Sequence, residues 1–174
     1  APNLVEHPLL QAIQQGDAKV GVIGLGYVGL PLCLTAARKG LFVTGFDVDE
    51  AKCEAIRSKR SYLKHIGSEQ LEEPVDSGRF AATTDFEKLG EMDVIVICVP
   101  TPLTKHREPD LSYLEQTAET IARTLRQGQL IILESTTYPG TTEEVMRPRL
   151  EAGGLRVGKD FYLAFSPERV DPGN

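Results

Sequence analysis

The stretch from Val20 to Asp47 constrains the fold more than any other part of this 174-residue chain. Lys19-Val20-Gly21-Val22-Ile23 is a short apolar run suited to a buried strand, and it opens directly into Gly24-Leu25-Gly26-Tyr27-Val28-Gly29. Leu30, Leu32, Ala36 and Ala37 then supply an apolar helical face, and Gly40 ends the helix. Leu41 to Phe46 makes a second strand that stops at Asp47. Strand, glycine turn, helix and strand within about 30 residues form the βαβ unit of dinucleotide-binding proteins.

Each residue of the turn has a physical task in that reading. Gly24 permits the tight exit from the strand, Gly26 removes a Cβ from the path of a pyrophosphate, and Gly29 lets the helix lie close to the strand. The helix N-terminus presents free N–H groups and a partial positive charge to the phosphates. Asp47 lies 18 residues beyond Gly29, where a carboxylate accepts the ribose hydroxyls and repels a 2′-phosphate. NAD is therefore expected over NADP, with FAD and S-adenosylmethionine still open on the turn alone.

The rest of the composition narrows the function class. The chain is 41% hydrophobic and 25% charged, an ordinary globular balance, and its net charge of −6 argues against general nucleic-acid binding. Ala1 to Asp17 has neither a basic start nor a long apolar core, so no signal peptide or membrane anchor is expected, and a cytoplasmic location follows. Cys33, Cys53 and Cys98 have no metal-ligand or disulfide spacing, so no metal is expected. Cys33 and Cys53 fall on helices and Cys98 in a buried strand, and all three read as inert core thiols. His7, His65 and His106 lack helical partners or a nearby nucleophile and read as surface histidines.

Along the chain, Leu4, Leu9, Leu10 and Ile13 predict a short helix within an N-terminal extension over 1–17, ahead of a domain over 18–174. Asp49 caps a second helix, and Lys52, one turn on, could reach the adenosine side of a dinucleotide. A helix around Glu69–Val75 and an edge strand at Phe80–Thr84 follow. Asp93–Val99 is a nearly unbroken β-branched run, the pattern of a strand covered on both faces. Asp110 is expected to cap a helix carrying Leu111, Leu114, Ala118, Ile121 and Leu125, and Leu130–Leu133 makes a fifth strand. Thr141 to Glu144 spells a capping box, and Phe161–Phe165 a sixth strand. The alternation predicts an α/β fold: a Rossmann-type, doubly wound, mostly parallel sheet with helices on both faces.

In such sheets ligands bind beyond the carboxyl ends of the strands. Gly24–Gly29, Pro100-Thr101-Pro102 and Ser135–Gly140 all follow strand ends. Thr101 and Thr136 then face the nicotinamide half of a dinucleotide, and Glu168 faces the same crevice.

The order of these elements resembles the UDP-glucose/GDP-mannose dehydrogenase family, in its N-terminal NAD-binding domain. Gly24-Leu25-Gly26-Tyr27-Val28-Gly29-Leu30-Pro31, Val99-Pro100-Thr101-Pro102, Glu134-Ser135-Thr136 and Ser166-Pro167-Glu168 match that family's motifs in order. The resemblance implies NAD-dependent oxidation of a sugar C6 alcohol to the acid by two hydride transfers. It also implies that Gly24, Gly26, Tyr27, Val28, Gly29, Asp47, Lys52, Pro100, Thr101 and Thr136 contact NAD. Thr136 would lie near a catalytic water, Glu168 would assist proton or water chemistry at thioester hydrolysis, and Glu168, Arg169 and Val170 would touch the UDP-sugar.

Glu108-Pro109-Asp110-Leu111 and the run from Glu168 to Asn174 resemble the UDP-N-acetylhexosamine branch, UDP-N-acetylglucosamine foremost. UDP-glucose and UDP-N-acetylmannosamine are the alternatives, and Pro172 stands where the UDP-glucose branch carries a second acid. The family's cysteine nucleophile, with its lysine and aspartate partners, belongs to a second half not found in these 174 residues. The chain alone is expected to bind NAD without turnover, and the full-length protein to be a homo-oligomer. A non-catalytic, NAD-responsive interaction module is the competing reading.

Overall fold

The structure is a computed structural model that describes residues 7–135 and 140–167. In chain order the elements are α1 (Pro8–Gln15), β1 (Lys19–Ile23), α2 (Gly29–Arg38), β2 (Phe42–Phe46), α3 (Glu50–Arg57), α4 (Glu69–Asp76), β3 (Phe80–Thr83), β4 (Val94–Ile97), α5 (Ser112–Thr124), β5 (Leu130–Ser135), α6 (Arg147–Glu151) and β6 (Tyr162–Pro167). A 3-10 turn at Phe86–Glu91 precedes β4, and a π-helical turn at Thr142–Met146 leads into α6. The strands lie in the order β3-β2-β1-β4-β5-β6. Every ladder is parallel, where the sequence predicted only a mostly parallel sheet. The chain winds outward from β1 in one direction and then, from β4, in the other.

The strands alternate apolar residues between two core layers because successive side chains point to opposite faces. In β4, Val94 and Val96 join the layer formed with Leu30, Cys33 and Leu34 of α2 and Ile56 of α3. Ile95 and Ile97 join the other layer, with Leu114, Ala118 and Ile121 of α5. All four β4 residues are buried, as a strand covered on both faces requires. Burying each such Val, Leu or Ile contributes roughly 1.5–3 kcal/mol relative to leaving it in water. Gln129, fully buried, joins the start of β5 to the turn before β4. Its Nε2 donates to the Leu89 and Met92 carbonyls at 3.0 and 2.8 Å, and its Oε1 accepts from the Arg126 amide at 3.0 Å.

Several local expectations need correction. His7 is not a surface histidine: it is half-buried, its Nδ1 accepts the Leu9 amide at 3.2 Å to cap α1, and its Nε2 meets the Tyr162 hydroxyl at 2.9 Å. Leu9 and Ile13 of α1 pack against the α2-side core. Cys98 lies just past β4 and is half-buried, rather than inside a buried strand. Asp110 accepts the Ser112 amide at 3.0 Å, but Leu111 is the N-cap of α5.

The capping box at Thr141–Glu144 does not form, because Thr141 is itself helical at φ −59, ψ −38 and a capping residue needs extended backbone. Its hydroxyl is buried without a hydrogen-bond partner among the described residues. Pro148 at the start of α6 adds a ring that suits only a first helical turn, and the expected single helix is divided. The 3-10 turn at Phe86–Glu91 was not predicted. Asp85, whose side chain accepts the Glu87 amide at 3.1 Å, is its start signal.

Candidate functional site

The carboxyl ends of β1, β2 and β4 open on a crevice of about 530 Å³, at the place where the winding of the sheet reverses. Gly24 turns the chain out of β1 with φ +95, and a Cβ there would stand 2.7 Å from the Cys98 carbonyl oxygen. At Gly29 a Cβ would fall 1.6 Å from the Gly24 oxygen, so α2 can start this close to β1 only on glycine. Gly26 differs: a Cβ there would meet nothing within 4 Å. Its protein surroundings do not require glycine, which leaves close approach of a ligand as the physical reason for it.

The start of α2 is suited to an anion. Its N-cap is Val28, which makes no side-chain hydrogen bond, whereas Asp49 caps α3 with its carboxylate. The Gly26 amide has no acceptor among the described residues. Unsatisfied N–H groups and the positive end of the helix dipole therefore lie together at the glycine turn, which reaches the crevice through Gly24.

Asp47 is buried at the end of β2 and already oriented. Its Oδ2 accepts the Leu25 amide and its Oδ1 the Asp49 amide, each at 2.9 Å. Lys52 Nζ stands 3.9 Å from Oδ2. A carboxylate oxygen carries two lone pairs, so each oxygen of Asp47 keeps one acceptor position beyond its backbone amide. Gly24, Asp47, Lys52 and Pro100 all line the crevice. Thr101, the next residue in the loop, is half-buried. Tyr27 is 60% exposed and stacks on His65, with ring centroids 5.6 Å apart and planes 11° from parallel. His65 is thus exposed as predicted, but it is engaged with the glycine loop.

The opposite wall was not foreseen. It comes from Tyr113, Gln116, Thr117, Thr120 and Arg123 of α5, with Phe86 and Val99 beside them. The hydroxyls of Thr117 and Thr120 donate to the Tyr113 and Gln116 carbonyls at 2.7 and 2.9 Å, so they are satisfied within the helix and the wall is less polar than its sequence. Phe86, Val99 and the Tyr113 ring give the crevice an apolar part that suits a purine nucleoside. The positions 113, 117 and 120 recur at helical spacing in a stripe flanking the buried Leu114, Ala118 and Ile121, one residue and so about 100° around the helix, and that second stripe is the signal in the sequence.

β5 and β6 end side by side, with Glu134 opposite Ser166 and Ser135 opposite Pro167. Thr136, Glu168, Arg169 and Val170 follow in sequence and lie outside the described residues. Cys33 and Cys53 offer no nucleophile: burial and then Cys98 push the Cys33 thiol well up from its ordinary pKa, and burial and then Asp47 raise Cys53. Among the described residues no group of three His, Cys, Asp or Glu side chains could hold a metal ion, and no helix is long and apolar enough to cross a membrane. A second depression, of about 460 Å³, lies at the opposite, amino edge of the sheet. Its Arg126 is already engaged by Asp93 at 2.9 Å and by the Gly90 and Met92 carbonyls at 2.8 and 2.9 Å, so it offers little to a ligand.

Comparison with known proteins agrees with this geometry. Residues 18–174 match the profile of the UDP-glucose/GDP-mannose dehydrogenase family, NAD binding domain. The chain is 38% identical over 159 residues to the UDP-N-acetyl-D-glucosamine 6-dehydrogenase of Pseudomonas aeruginosa, covering 91% of this chain and 37% of that protein. It is 42% identical over 159 residues to the UDP-N-acetyl-D-mannosamine dehydrogenase of Pyrococcus horikoshii, covering 89% and 37%. The crystal structure of a ternary complex of GDP-mannose dehydrogenase from Pseudomonas aeruginosa superposes with a TM-score of 0.83 at 32% identity, over 87% of this chain and 36% of that one. The chain thus spans little more than a third of the length of these relatives. With the reversed winding, the open Gly26 and the oriented Asp47 all in place, the chain belongs to the UDP-glucose/GDP-mannose dehydrogenase family, as its NAD-binding domain.

Proposed function

We propose that this domain supplies the NAD site of an enzyme that oxidises the C6 alcohol of a UDP-N-acetylhexosamine to the uronic acid in two NAD-dependent steps. The observation that carries the cofactor half is the oriented Asp47 on the crevice, hydrogen-bonded to the Leu25 amide of a glycine turn whose Gly26 has an open side and which leads into the uncapped start of α2. The substrate half is supported by relatives named for UDP-N-acetyl-D-glucosamine and UDP-N-acetyl-D-mannosamine. Bound NAD supplies the hydride acceptor. In this reading Asp47 and Lys52 hold the adenosine ribose, Gly24, Gly26, Tyr27, Val28 and Gly29 hold the pyrophosphate, and Pro100, Thr101 and Thr136 hold the nicotinamide side. Thr136 also orients a water, Glu168 moves a proton for the hydrolytic step, and Glu168, Arg169 and Val170 contact the UDP-sugar. A reducing, cytoplasmic setting suits the three free cysteines, and the complete enzyme is a homo-oligomer.

Calorimetric titration of the chain with NAD, NADP and S-adenosylmethionine tests the cofactor assignment, and only NAD should bind measurably. Fusing the domain to the carboxyl-terminal part of the Pseudomonas aeruginosa relative tests the rest. The chimera should form two NADH per UDP-N-acetylglucosamine consumed, while the chain alone forms none. A chimera that binds NAD but oxidises none of the UDP-sugars would favour a non-catalytic, NAD-responsive module.

A further inference from the structure

Tyr62 lies in the polar segment between α3 and α4, 37 residues from the glycine turn, and its hydroxyl donates to the Leu25 carbonyl. We propose that Tyr62 is a positioning residue for the cofactor: by holding the Leu25 carbonyl it aims the Gly26 amide at the pyrophosphate. The inference rests on the cofactor reading of this crevice and assigns a role to a side chain outside the glycine motif.

Leu25 is fully buried and fixed at three points. Its amide donates to Asp47, its carbonyl accepts from Tyr62, and its side chain lies over Gly45, where a Cβ would come within 2.6 Å of it. No cis peptide bond occurs among the described residues. In a planar trans peptide the C=O and the following N–H point in opposite directions. With the Leu25 carbonyl held on Tyr62, the Gly26 N–H is directed away from Tyr62. That amide has no acceptor among the described residues, and a Cβ on the same glycine would meet only open space. An amide with no protein acceptor, beside a helix start with no side-chain cap, is available to a phosphate oxygen.

The same segment reaches the turn on the other side of Gly26 through the stack of His65 on Tyr27. Lys52 Nζ lies 6.0 Å from the centroid of the Tyr62 ring, which links the brace to the ribose side. Burial, and then the Asp47 charge, push the Tyr62 phenol well above its ordinary pKa, so it keeps the donated proton at neutral pH. Leu25 is thus the shared point at which Asp47 and Tyr62 set the shape of the phosphate loop.

The test compares wild type with Tyr62→Phe, which keeps the ring and removes the hydroxyl. Both are titrated with ADP-ribose, which carries the pyrophosphate, and with adenosine, which does not, and amide NMR spectra follow Gly26. Loss of one hydrogen bond's worth of orientation should weaken ADP-ribose by about 3- to 10-fold. Adenosine affinity should be unchanged, and the Gly26 amide of wild type should shift strongly on adding ADP-ribose. Equal ADP-ribose affinity in the two proteins overturns the proposal, as does an equal loss for adenosine, which would mark general damage to the crevice. A Gly26 resonance in wild type that ignores ADP-ribose overturns it without reference to the variant. Wild type that binds no ADP-ribose at all would instead refute the cofactor reading, and the proposal with it.

Discussion

Asp47→Asn isolates the charge at the end of β2 while keeping the shape of the side chain. In the native structure each carboxylate oxygen takes one backbone amide, from Leu25 or Asp49 at 2.9 Å, and retains one lone pair for a ribose hydroxyl. The amide side chain offers one oxygen in place of two, and its NH2 must face an N–H donor. One charge-assisted hydrogen bond to the ribose is lost and the other becomes neutral. At about 1.5–3 kcal/mol for a hydrogen bond to a charged group, NAD should bind roughly 10- to 100-fold more weakly. NADP should lose less or gain, because the repulsion of its 2′-phosphate disappears and Lys52, 3.9 Å from the carboxylate in the native protein, becomes an unopposed cation. Titration of NADH and NADPH, read by their own fluorescence in a protein without tryptophan, gives both constants. A folded Asp47→Asn protein that binds NADH as tightly as wild type, with the same preference over NADPH, would refute the ribose assignment.

Two glycine substitutions should separate packing from binding. Gly29→Ala, whose Cβ would stand 1.6 Å from the Gly24 oxygen, should destabilise the fold by about 3 kcal/mol or more in chemical denaturation. Gly26→Ala, which meets open space, should leave stability within about 0.5 kcal/mol of wild type yet abolish NAD binding. Gln129→Leu leaves the Arg126 amide without its acceptor and takes one donor each from the Leu89 and Met92 carbonyls, which keep the Met92 amide and the Arg126 guanidinium, and a loss of about 2 kcal/mol should appear as a lower melting temperature. The Glu151 carboxyl is held below its ordinary pKa, first by the Val157 amide at 3.0 Å and then by Arg147. Its contribution is complete above the ordinary glutamate pKa of about 4.3 and is lost as pH falls through the lower folded value. Glu151→Gln should therefore flatten the acid limb of the stability profile, and an unchanged limb would contradict the assignment.

The elements that hold the site were legible because they obey local rules. The β-branched run at Val94–Ile97 can only be a strand covered twice, and Gly24, Gly26 and Gly29 sit at spacings that a tight turn into a helix demands. What escaped was set by distance in the fold. Tyr62 reads as one aromatic in a polar stretch until the chain brings it 37 residues back to Leu25. Thr117 and Thr120 read as a solvated helix face until α5 is packed beside β4. His7 was misread for the same reason, since its partner Tyr162 lies 155 residues away. Thr141 shows the opposite failure: the capping-box letters were present, but its backbone is already helical and its hydroxyl is buried.

The reversed winding of the sheet also sets an order of assembly on the ribosome. β1, β2 and β3 are neighbours both in sequence and in space, so their ladders can close as soon as residue 83 emerges. The other flank of β1 has to wait for β4. Val20 pairs with Val94, a separation of 94 − 20 = 74 residues. At about 10 residues per second this leaves one edge of the central strand open for about seven seconds of synthesis. For that interval the backbone N–H and C=O groups along the β4-facing edge of β1 are unpaired, and Ile23, on the face away from α2, lacks its cover. The strand at the heart of the finished cofactor site is thus the edge strand of the nascent protein, and the aggregation risk along it ends with the arrival of β4.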